Sequence, residues 1–396
     1  MAVSFGLTET FKNVFGGGKE RVRIFFAPGR VNLIGEHTDY NGGHVLPCAL
    51  TIGTYALVRQ TKVPLVRLYS KNFPETGVIT VPYDDLSYRR EHSWANYPKG
   101  IIAAFQALGP LGTGLDILYY GTIPNGAGLS SSASIELVTA VALNNLFERQ
   151  LDQLELVKMS QNVENKYVGV NCGIMDQFAV GMGKQNSAIL LNCQTLEYRY
   201  LPLALDDYFI VIANTNKKRG LADSAYNERR TTCETALAKL QTVRNIASLG
   251  ELTSAELTQY AHLLSPLEQK RARHAVTENE RTLEAATALE QGDLVRFGEL
   301  MKQSHMSLRD DYEVTGIELD TLVEAAWAHE GTIGARMTGA GFGGCTVNVV
   351  KKASIQDFVK QVGRTYAEKI GYEASFYVVD VGNGARELIE MEEMCR

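Results

Sequence analysis

One loop of the chain reads Pro124-Asn125-Gly126-Ala127-Gly128-Leu129-Ser130-Ser131-Ser132-Ala133-Ser134, and it joins a predicted strand to a long helical pattern. Small residues let the backbone approach a ligand closely. A helix that begins near Ser132 directs its free N–H groups and the positive end of its dipole at this loop, which is how helices hold phosphate. The sequence therefore predicts a phosphate site. The alternative is a flexible turn whose serines cap the helix.

Two other glycine-rich stretches are weaker candidates for phosphate binding. Residues 16–19 read Gly-Gly-Gly-Lys and lack the spacing and the Ser or Thr of a P-loop. Residues 339–344 formally fit the dinucleotide pattern Gly-x-Gly-x-x-Gly, but a predicted strand follows them where a helix would have to hold the pyrophosphate. The serine loop is not a P-loop either, because no Gly-Lys-Ser/Thr closes it. We therefore expect neither a Walker P-loop nor a dinucleotide site.

The segments around the loop mix strands and helices. In the first half we predict strands at residues 21–26, 53–60, 64–69, 115–120 and 188–191, and helices at residues 96–108, 132–147 and 154–167. In the second half we predict strands at residues 208–213, 335–337, 346–350 and 376–380, surface helices across residues 225–301, and a helix at residues 354–370. These elements indicate the α+β class.

The length of the chain predicts its division. A chain of 396 residues exceeds the usual size of one hydrophobic core. We therefore expect two domains, residues 1–195 and residues 196–396, with a cleft between them that is suited to an active site.

The composition excludes several classes of protein. Apolar residues make up 45% and charged residues 21% of the chain, which indicates a folded globular protein. The net charge of -6 offers no basic field for nucleic acid, and no segment is apolar for long enough to be a membrane span or a signal peptide. The six cysteines are scattered without a Cys-x-x-Cys pair, which favours free thiols in a reducing cytoplasm.

A polar cluster follows the first predicted strand, in residues 27–44. Glu36, His37 and Asp39 lie within four residues and can direct acceptors and a donor at one small object, which suits a polyhydroxylated ligand such as a sugar. A solvated turn is the alternative interpretation. A metal site is a weaker alternative, because His37 has no helical partner at metal-ligand spacing.

Two further carboxylates are candidates for chemistry. Asp176 lies among apolar residues and glycines, so it needs a cation or several donors, and Arg30 is a candidate partner. A structural ion pair is the alternative role for Asp176. Glu164, together with a serine hydroxyl of the loop, offers oxygen ligands suited to Mg²⁺ beside nucleotide phosphates, although it also fits a solvated surface position.

Taken together, these segments closely resemble the three motifs of the GHMP kinase superfamily. Gly29 to Gly43 resembles the signature of its galactokinase branch, Gly126 to Ser132 is similar to the ATP-phosphate loop, and Thr338 to Gly344 is similar to the third glycine motif. The resemblance implies a two-domain α+β fold with the active site in the cleft between the domains.

The resemblance also implies a set of site residues. Galactose would be bound by Glu36, His37, Thr38, Asp39, Gly173, Asp176 and Tyr226. ATP would be bound by Ser70, Gly126, Ala127, Gly128, Leu129, Ser130, Ser131 and Ser132, and Mg²⁺ by Ser132 and Glu164.

The family mechanism assigns the chemistry to Asp176 and Arg30. By that resemblance Asp176 takes the proton from the C1 hydroxyl of galactose, while Arg30 keeps Asp176 ionised and steadies the charge of the transferring phosphoryl group. The expected reaction gives α-D-galactose 1-phosphate and ADP, the first committed step of galactose catabolism. Whether Asp176 acts as a general base or as an electrostatic anchor stays open at this point. We expect a cytoplasmic monomer without nucleic-acid or membrane partners.

Two other functions compete with this interpretation. Some relatives sense galactose and ATP without catalysis, and they have lost a Ser-Ala pair in the phosphate loop. Here residues 130–134 retain that pair, which favours an enzyme. The nearer alternative is a kinase for N-acetylgalactosamine or another sugar, since a few side chains around the ring decide which substituent at C2 or C4 fits, and the intact signature favours galactose.

Overall fold

The structure is a computed structural model, and it describes residues 2–124, 127–203, 205, 207–217 and 222–388. Within these residues, helices cover three β-sheets, and the predicted α+β class is confirmed. Gly126 of the predicted phosphate loop lies outside the described residues.

The strands are β1 (Arg23–Asn32), β2 (His44–Val45), β3 (Pro47–Thr61), β4 (Leu65–Ser70), β5 (Ile79–Pro82), β6 (Gly114–Gly121), β7 (Ser187–Asn192), β8 (Tyr198–Pro202), β9 (Tyr208–Asn214), β10 (Thr332–Thr338), β11 (Cys345–Lys351), β12 (Ser375–Val379) and β13 (Arg386–Leu388). A six-stranded sheet has the order β13-β1-β3-β6-β4-β5, a four-stranded sheet the order β10-β11-β9-β12, and a three-stranded sheet the order β2-β7-β8. Strands β4 and β6 pair in parallel, and the other pairs in these sheets are antiparallel.

The helices are α1 (Ala2–Phe15), α2 (Asn96–Leu108), α3 (Ser131–Leu146), α4 (Gln153–Val163), α5 (Met175–Met182), α6 (Ala222–Leu240), α7 (Ser254–Tyr260), α8 (Pro266–Glu290), α9 (Leu294–Ser307), α10 (Gly316–Trp327) and α11 (Ile355–Ile370). A π-helical turn, Glu164–Val168, follows α4. Most predicted elements are therefore present, with ends that shift by a few residues.

Both faces of the six-stranded sheet are buried, and alternate side chains along its strands belong to two different core clusters. In β1, Phe25 and Ala27 belong to the core beneath helices α2 to α5, whereas Phe26 faces the opposite side. Strand β6 repeats the pattern, with Ile117 on the first face and Leu118 on the second. The sheet is thus a rigid support for the loop that leads into α3.

Helix α1, which the sequence patterns do not predict, covers the second face. Leu7, Phe11 and Phe15 lie four residues apart on one side of the helix and are buried against that face. The interior Gly6 and Thr10 weaken the helical signal, and the Thr10 hydroxyl donates back to the Gly6 carbonyl at 2.7 Å. Packing against the sheet, rather than local helix propensity, therefore stabilises helix α1.

Strand β1 extends further than predicted. The expected strand ends at residue 26 because Pro28 and Gly29 usually terminate a strand. In the structure β1 continues to Asn32, with a shift in its register against β3 between Pro28 and Arg30. The polar motif therefore begins inside the strand, and Arg30 follows the irregularity directly.

The second half of the chain surrounds the four-stranded sheet. Val211 and Ala213 of β9 face helices α10 and α11, and the alternating Ile210 and Ile212 face the core under α8 and α9. At the end of the described chain, β13 returns to pair with β1 of the first sheet. Within the described residues, no helix combines the length and apolar character needed to cross a membrane. The five described cysteines are free thiols.

Candidate active site

The serine loop leads into helix α3 without a side-chain cap. Ser130 occupies the N-cap position in a left-handed conformation, with φ 59° and ψ 48°, and its side chain makes no capping hydrogen bond. Its hydroxyl oxygen is buried and has no hydrogen-bond partner among the described residues. The capping alternative therefore does not describe this serine. The first N–H groups of α3 stay available for an anion.

Ser134 anchors the start of α3 to the sheet. Its hydroxyl donates to the carbonyl of Ala27 at 2.8 Å and accepts from the backbone N–H of Thr54 at 3.2 Å. This fully buried serine joins the helix to β1 and β3, so its role is structural. The start of α3 is consequently fixed relative to β1, the strand that carries Arg30.

Arg30 and Asp176 meet, as the sequence analysis proposed for them. The guanidinium Nε and Nη2 of Arg30 lie 2.9 and 2.7 Å from the same oxygen, Oδ1, of Asp176. The second oxygen, Oδ2, accepts no hydrogen bond from the described residues. The Asp176 side chain is 29% exposed, whereas that of Arg30 is 5% exposed. The carboxylate is therefore fixed at one oxygen and accessible at the other.

Arg30 also contacts the phosphate loop. Its Nη1 donates to the Gly128 carbonyl at 2.7 Å, and its backbone N–H donates to the Leu129 carbonyl at 3.2 Å. Gly339, with φ +81°, packs beside this contact, because a Cβ built on it would lie 3.3 Å from the Gly128 carbonyl oxygen. The three predicted motifs therefore converge at the Arg30 guanidinium.

Glu36 lies at the centre of a buried network. Its Oε1 accepts from the Thr338 hydroxyl at 3.1 Å and the Gly339 N–H at 2.7 Å. Its Oε2 accepts from the Asn32 side chain at 2.6 Å and lies 2.7 Å from Nη1 of Arg336. Burial raises the pKa of the Glu36 carboxyl, and the nearby Arg336 charge opposes that rise. The solvated-turn alternative therefore fails for Glu36, whose acceptor sites are already occupied by protein donors.

His37 lies inside an aromatic cluster. Its φ is 62°, and its Nδ1 lies 2.8 Å from the Tyr40 hydroxyl. Its ring is 5.7 Å from that of Tyr226 and 4.8 Å from that of Tyr312. Burial is the main cause that lowers the pKa of His37 to about 3, so the imidazole is neutral at pH 7. Nε2 is buried and has no hydrogen-bond partner among the described residues.

Asp39 faces the same region as Asp176. Burial, followed by the negative charge of Asp176, raises the pKa of Asp39 to about 6. Gly173 lies against it, because a Cβ at residue 173 would overlap the Asp39 carboxylate. Burial and the Asp39 charge also raise the pKa of the Tyr226 hydroxyl. Thr38 is fully buried, and its hydroxyl contacts the carbonyls of Gly35 at 2.8 Å and His44 at 2.6 Å.

Glu164 is buried beside the serine loop rather than solvated. The Gln177 side chain donates to its Oε2 at 2.5 Å, and the Ser132 hydroxyl is a second partner. Burial, with a contribution from the charge of Asp176, raises the pKa of Glu164 to about 7. The π-helical turn that begins at this residue interrupts the regular α4 geometry.

Glu136 is a carboxylate that the sequence analysis did not single out. It is fully buried on α3, lies against Glu164 and Gln177, and forms no hydrogen bond of regular geometry. Burial, followed by the Glu164 charge, raises the pKa of Glu136. Glu136 stands four residues after Ser132 and therefore on the same side of the helix. The four-residue spacing from Ser132 could have identified Glu136 in the sequence. The apolar residues around Glu136 made that spacing hard to recognise.

The donor set around Glu164 fits a magnesium ion that is shared with a nucleotide. Among the described residues, no group of three or more His, Cys, Asp or Glu side chains could hold a metal by itself. Mg²⁺ usually takes one or two protein ligands together with substrate phosphates and water. A carboxylate and a serine hydroxyl at a helix N-terminus match this requirement.

Two cavities adjoin these side chains. The first has a volume of about 440 Å³ and is bounded by Asp39, Tyr40, Gly173 and Arg230 among others. The second has a volume of about 170 Å³, and its lining includes Ser70, Trp94, Tyr97, Tyr119, Ser131 and Ser132. Asp176 is close enough to raise the pKa both of Asp39, at the first cavity, and of Glu164, whose partner Ser132 lines the second.

Comparison with protein families gives three matches along the chain. A model described as galactokinase galactose-binding signature matches residues 9–60. The GHMP kinases N terminal domain matches residues 96–184, and the GHMP kinases C terminal model matches residues 285–368.

Individual proteins resemble the chain over almost its whole length. A galactokinase of Clostridium beijerinckii is 60% identical over 384 residues, which cover 96% of this chain and 98% of that protein. A galactokinase of Clostridium acetobutylicum is 58% identical over 384 residues, with the same coverage of 96% and 98%. The crystal structure of Lactococcus lactis galactokinase complexed with galactose matches with a TM-score of 0.95 at 50% identity, covering 98% of this chain and 100% of that one.

Proposed function

Since the chain belongs to the galactokinase family of the GHMP kinases, we infer that it transfers the terminal phosphoryl group of ATP to the anomeric hydroxyl of α-D-galactose. The products are α-D-galactose 1-phosphate and ADP. The observation that carries this inference is the ion pair of Arg30 with Asp176, which adjoins both the acidic site at Asp39 and the phosphate loop.

We propose that galactose occupies the region of Asp39, Gly173 and Tyr226. The Asp39 carboxylate supplies acceptors for ring hydroxyls, and the absence of a side chain at Gly173 leaves room for that carboxylate. Thr38 and the neutral His37 shape the wall. A direct bond from Glu36 to a hydroxyl remains part of the proposal, although four protein donors already share its lone pairs.

We propose that ATP binds across the second cavity and the serine loop. Aromatic side chains of this cavity, Trp94, Tyr97 and Tyr119, suit the base, and Ser70 lies beside them. The phosphates then extend to residues 126–132 and to the N-terminus of α3, where N–H groups and the helix dipole stabilise negative charge.

In the proposed mechanism, Asp176 acts at the oxygen that attacks the phosphorus. Oδ2, which no described residue occupies, accepts the proton of the C1 hydroxyl as the oxygen–phosphorus bond forms and the bond to ADP breaks. Arg30 fixes Oδ1 and lies beside Gly128 of the phosphate loop, so its positive charge stabilises the transferring phosphoryl group. Because Asp176 is held at one oxygen only, a general-base role fits its geometry.

Mg²⁺ would be held by Ser132 and Glu164. When bound, the ion neutralises charge on the nucleotide phosphates. Glu164 is oriented for this contact by Gln177, and Glu136 lies directly against it. Among the described residues, no cationic side chain pairs with Glu164, so a bound Mg²⁺ would supply the positive charge beside this carboxyl.

The remaining aspects of the proposal concern the whole protein. We place the division between the two halves near residue 195, with β13 as a return of the chain to the first sheet. We propose a cytoplasmic monomer without nucleic-acid or membrane partners, consistent with the net charge of -6 and with free thiols.

An ADP-release assay across a panel of sugars tests the proposed function. We expect turnover with galactose, little with glucose, and less with N-acetylgalactosamine than with galactose, because the acetamido group has to fit against the wall at Gly173. Nuclear magnetic resonance of the product identifies the phosphorylated carbon. Faster turnover with N-acetylgalactosamine than with galactose, or phosphate at a carbon other than C1, would refute the proposal.

A further inference from the structure

A strained turn lies beside the proposed nucleotide cavity. Ser93 has φ 44° and ψ -116°, and it interrupts the 3-10 helical segment Arg90–Ala95. Non-glycine residues rarely adopt this backbone conformation, and they retain it only where the surrounding structure holds them in place. The next residue, Trp94, lines the nucleotide cavity. The strain is therefore located where it controls the position of that indole.

Asn96 holds this turn with its side chain. Its Oδ1 accepts from the backbone N–H of Arg89 at 3.1 Å, while its Nδ2 donates to the carbonyls of Arg89 at 2.7 Å and Ser93 at 3.2 Å. Asn96 is 1% exposed, so water does not substitute for these bonds. One amide thus joins both ends of the turn to the start of helix α2.

Lys99 reinforces Asn96 from the same helix. Its side chain is fully buried, and its Nζ donates to Oδ1 of Asn96 at 3.2 Å and contacts Nδ1 of His92 at 2.8 Å. Asn96 and Lys99 are three residues apart, so both project from one side of α2. The amide of Asn96 is therefore fixed in orientation as well as in position.

The Trp94 ring lies between Tyr119 and the nucleotide cavity. Its ring packs edge-on against Tyr119 at 5.8 Å, and its indole N–H is buried without a hydrogen-bond partner among the described residues. The indole nitrogen is inaccessible to solvent, so Trp94 meets the cavity with its ring and not with this donor. The ring is thus held on one side by the core and open to the cavity on the other.

We propose that Asn96 is a positioning residue for nucleotide binding, which acts by holding the strained Ser93 turn so that Trp94 faces the base of ATP. This inference rests on the proposed function, because it takes the second cavity as the nucleotide site. It assigns no chemistry to Asn96 itself.

The chain offers a direct readout of this site. It contains two tryptophans, Trp94 and Trp327. Trp327 is the last residue of helix α10, and its indole N–H donates to the carbonyl of Ala335 in strand β10. In the Trp327→Phe protein, the tryptophan emission belongs to Trp94 alone. We expect titration with MgADP to change this emission with a saturating curve.

The test compares Asn96→Ala with a matched control in the same background. Asn144, near the C-terminal end of helix α3, makes the equivalent pair of backbone bonds, to the N–H and the carbonyl of Leu151, both at 3.0 Å, and lines neither cavity. We expect Asn96→Ala to raise the Kd for MgADP and the KM for ATP about tenfold while the KM for galactose changes less than about twofold. Asn144→Ala should leave all three constants unchanged.

A second pair of variants tests the Ser93 turn without altering the Asn96 side chain. Ser93 is exposed, so its replacement leaves the core intact. Glycine adopts a positive φ without cost, whereas a β-branched residue is disfavoured there. We expect Ser93→Gly to retain the Kd for MgADP and Ser93→Val to raise it several-fold.

The outcomes separate the two hypotheses. If MgADP leaves the emission of the Trp327→Phe protein unchanged and ATP does not saturate the activity, the assignment of the nucleotide cavity fails. If MgADP binds normally but Asn96→Ala and Ser93→Val match their controls, the cavity assignment stands and the positioning role of Asn96 is refuted.

Discussion

The guanidinium of Arg30 places two nitrogens, at 2.7 and 2.9 Å, on a single oxygen of Asp176, a residue 146 positions away along the chain. If Arg30 bound both oxygens, neither oxygen would be available to a substrate, and the ion pair would be purely structural. The contact with one oxygen leaves the other for a substrate hydroxyl. One oxygen of Asp176 therefore fixes the side chain, and the other is available to accept a proton.

Arg30→Lys should reduce kcat strongly with little change in fold. Lysine keeps a positive charge but cannot contact both Asp176 and the Gly128 carbonyl through a planar fork. We expect kcat to fall roughly 100- to 1,000-fold, as for the loss of a transition-state donor. Arg23→Lys is the matched control, because Arg23 makes a two-nitrogen contact with Glu387 remote from the site. Similar kcat values for the two variants would contradict the role of Arg30.

Asp39 should make galactose binding depend on pH. Its pKa is raised to about 6, so lowering the pH through 6 protonates the carboxyl and removes the charged acceptor. We expect the KM for galactose to rise as the pH falls below about 6. The measurement uses saturating Mg²⁺ and ATP, because Glu164 titrates near pH 7.

Asp39→Asn is the control for that pH profile. The amide cannot titrate, so the KM for galactose should be high at every pH and flat below pH 6, while the KM for ATP changes little. A variant that keeps the wild-type pH profile of the galactose KM would show that another group causes it.

Glu164→Gln should weaken the enzyme's response to magnesium. The substitution removes a charged ligand next to Ser132, and changes at or near metal ligands typically cost about 10- to 100-fold in metal affinity. We expect the Mg²⁺ concentration for half-maximal activity to rise by that factor, and Mn²⁺ binding to the ADP complex, followed by electron paramagnetic resonance, to weaken in parallel. Glu330→Gln, at an exposed site, is the control. Unchanged Mn²⁺ affinity in Glu164→Gln would remove Glu164 from the metal site.

Gly339→Ala should impair ATP binding specifically. Gly339 has φ +81°, and a Cβ there would approach the Gly128 carbonyl to 3.3 Å. Gly371 has φ +90° with open space around it, so Gly371→Ala carries the same kind of backbone strain without the contact. Both variants should lose about 1 kcal/mol of unfolding free energy. Only Gly339→Ala should raise the KM for ATP, and equal ATP constants in the two would show that the contact with the loop is unimportant.

The sequence predicted the fold best where local patterns and packing agree. Helix α2 has the predicted bounds because its apolar periodicity matches the face that it buries, and α3, which is buried on nearly every side, differs by one residue at each end. Helix α1 and the extension of β1 escaped prediction because a glycine, a threonine and a proline weaken the local signal there. In both cases tertiary contacts with the six-stranded sheet supply the stabilisation.

The site was predictable to the extent that its motifs are contiguous. Glu36, Asp39 and the serine loop are each recognisable along the chain, whereas their partners come from distant elements. The ion pair of Glu36 with Arg336 joins residues some 300 positions apart, and no local pattern indicates it. Glu136 was hidden because it stands within an otherwise apolar helix, where a buried carboxyl is unusual.

The most direct test of the proposed chemistry is the turnover of Asp176→Asn with galactose binding measured in parallel by calorimetry. Asparagine keeps the shape of the side chain but cannot accept the C1 proton, so kcat should fall at least about 1,000-fold while galactose still binds. A variant that binds galactose and retains kcat within about tenfold of the wild type would contradict the assignment of Asp176 as the proton acceptor.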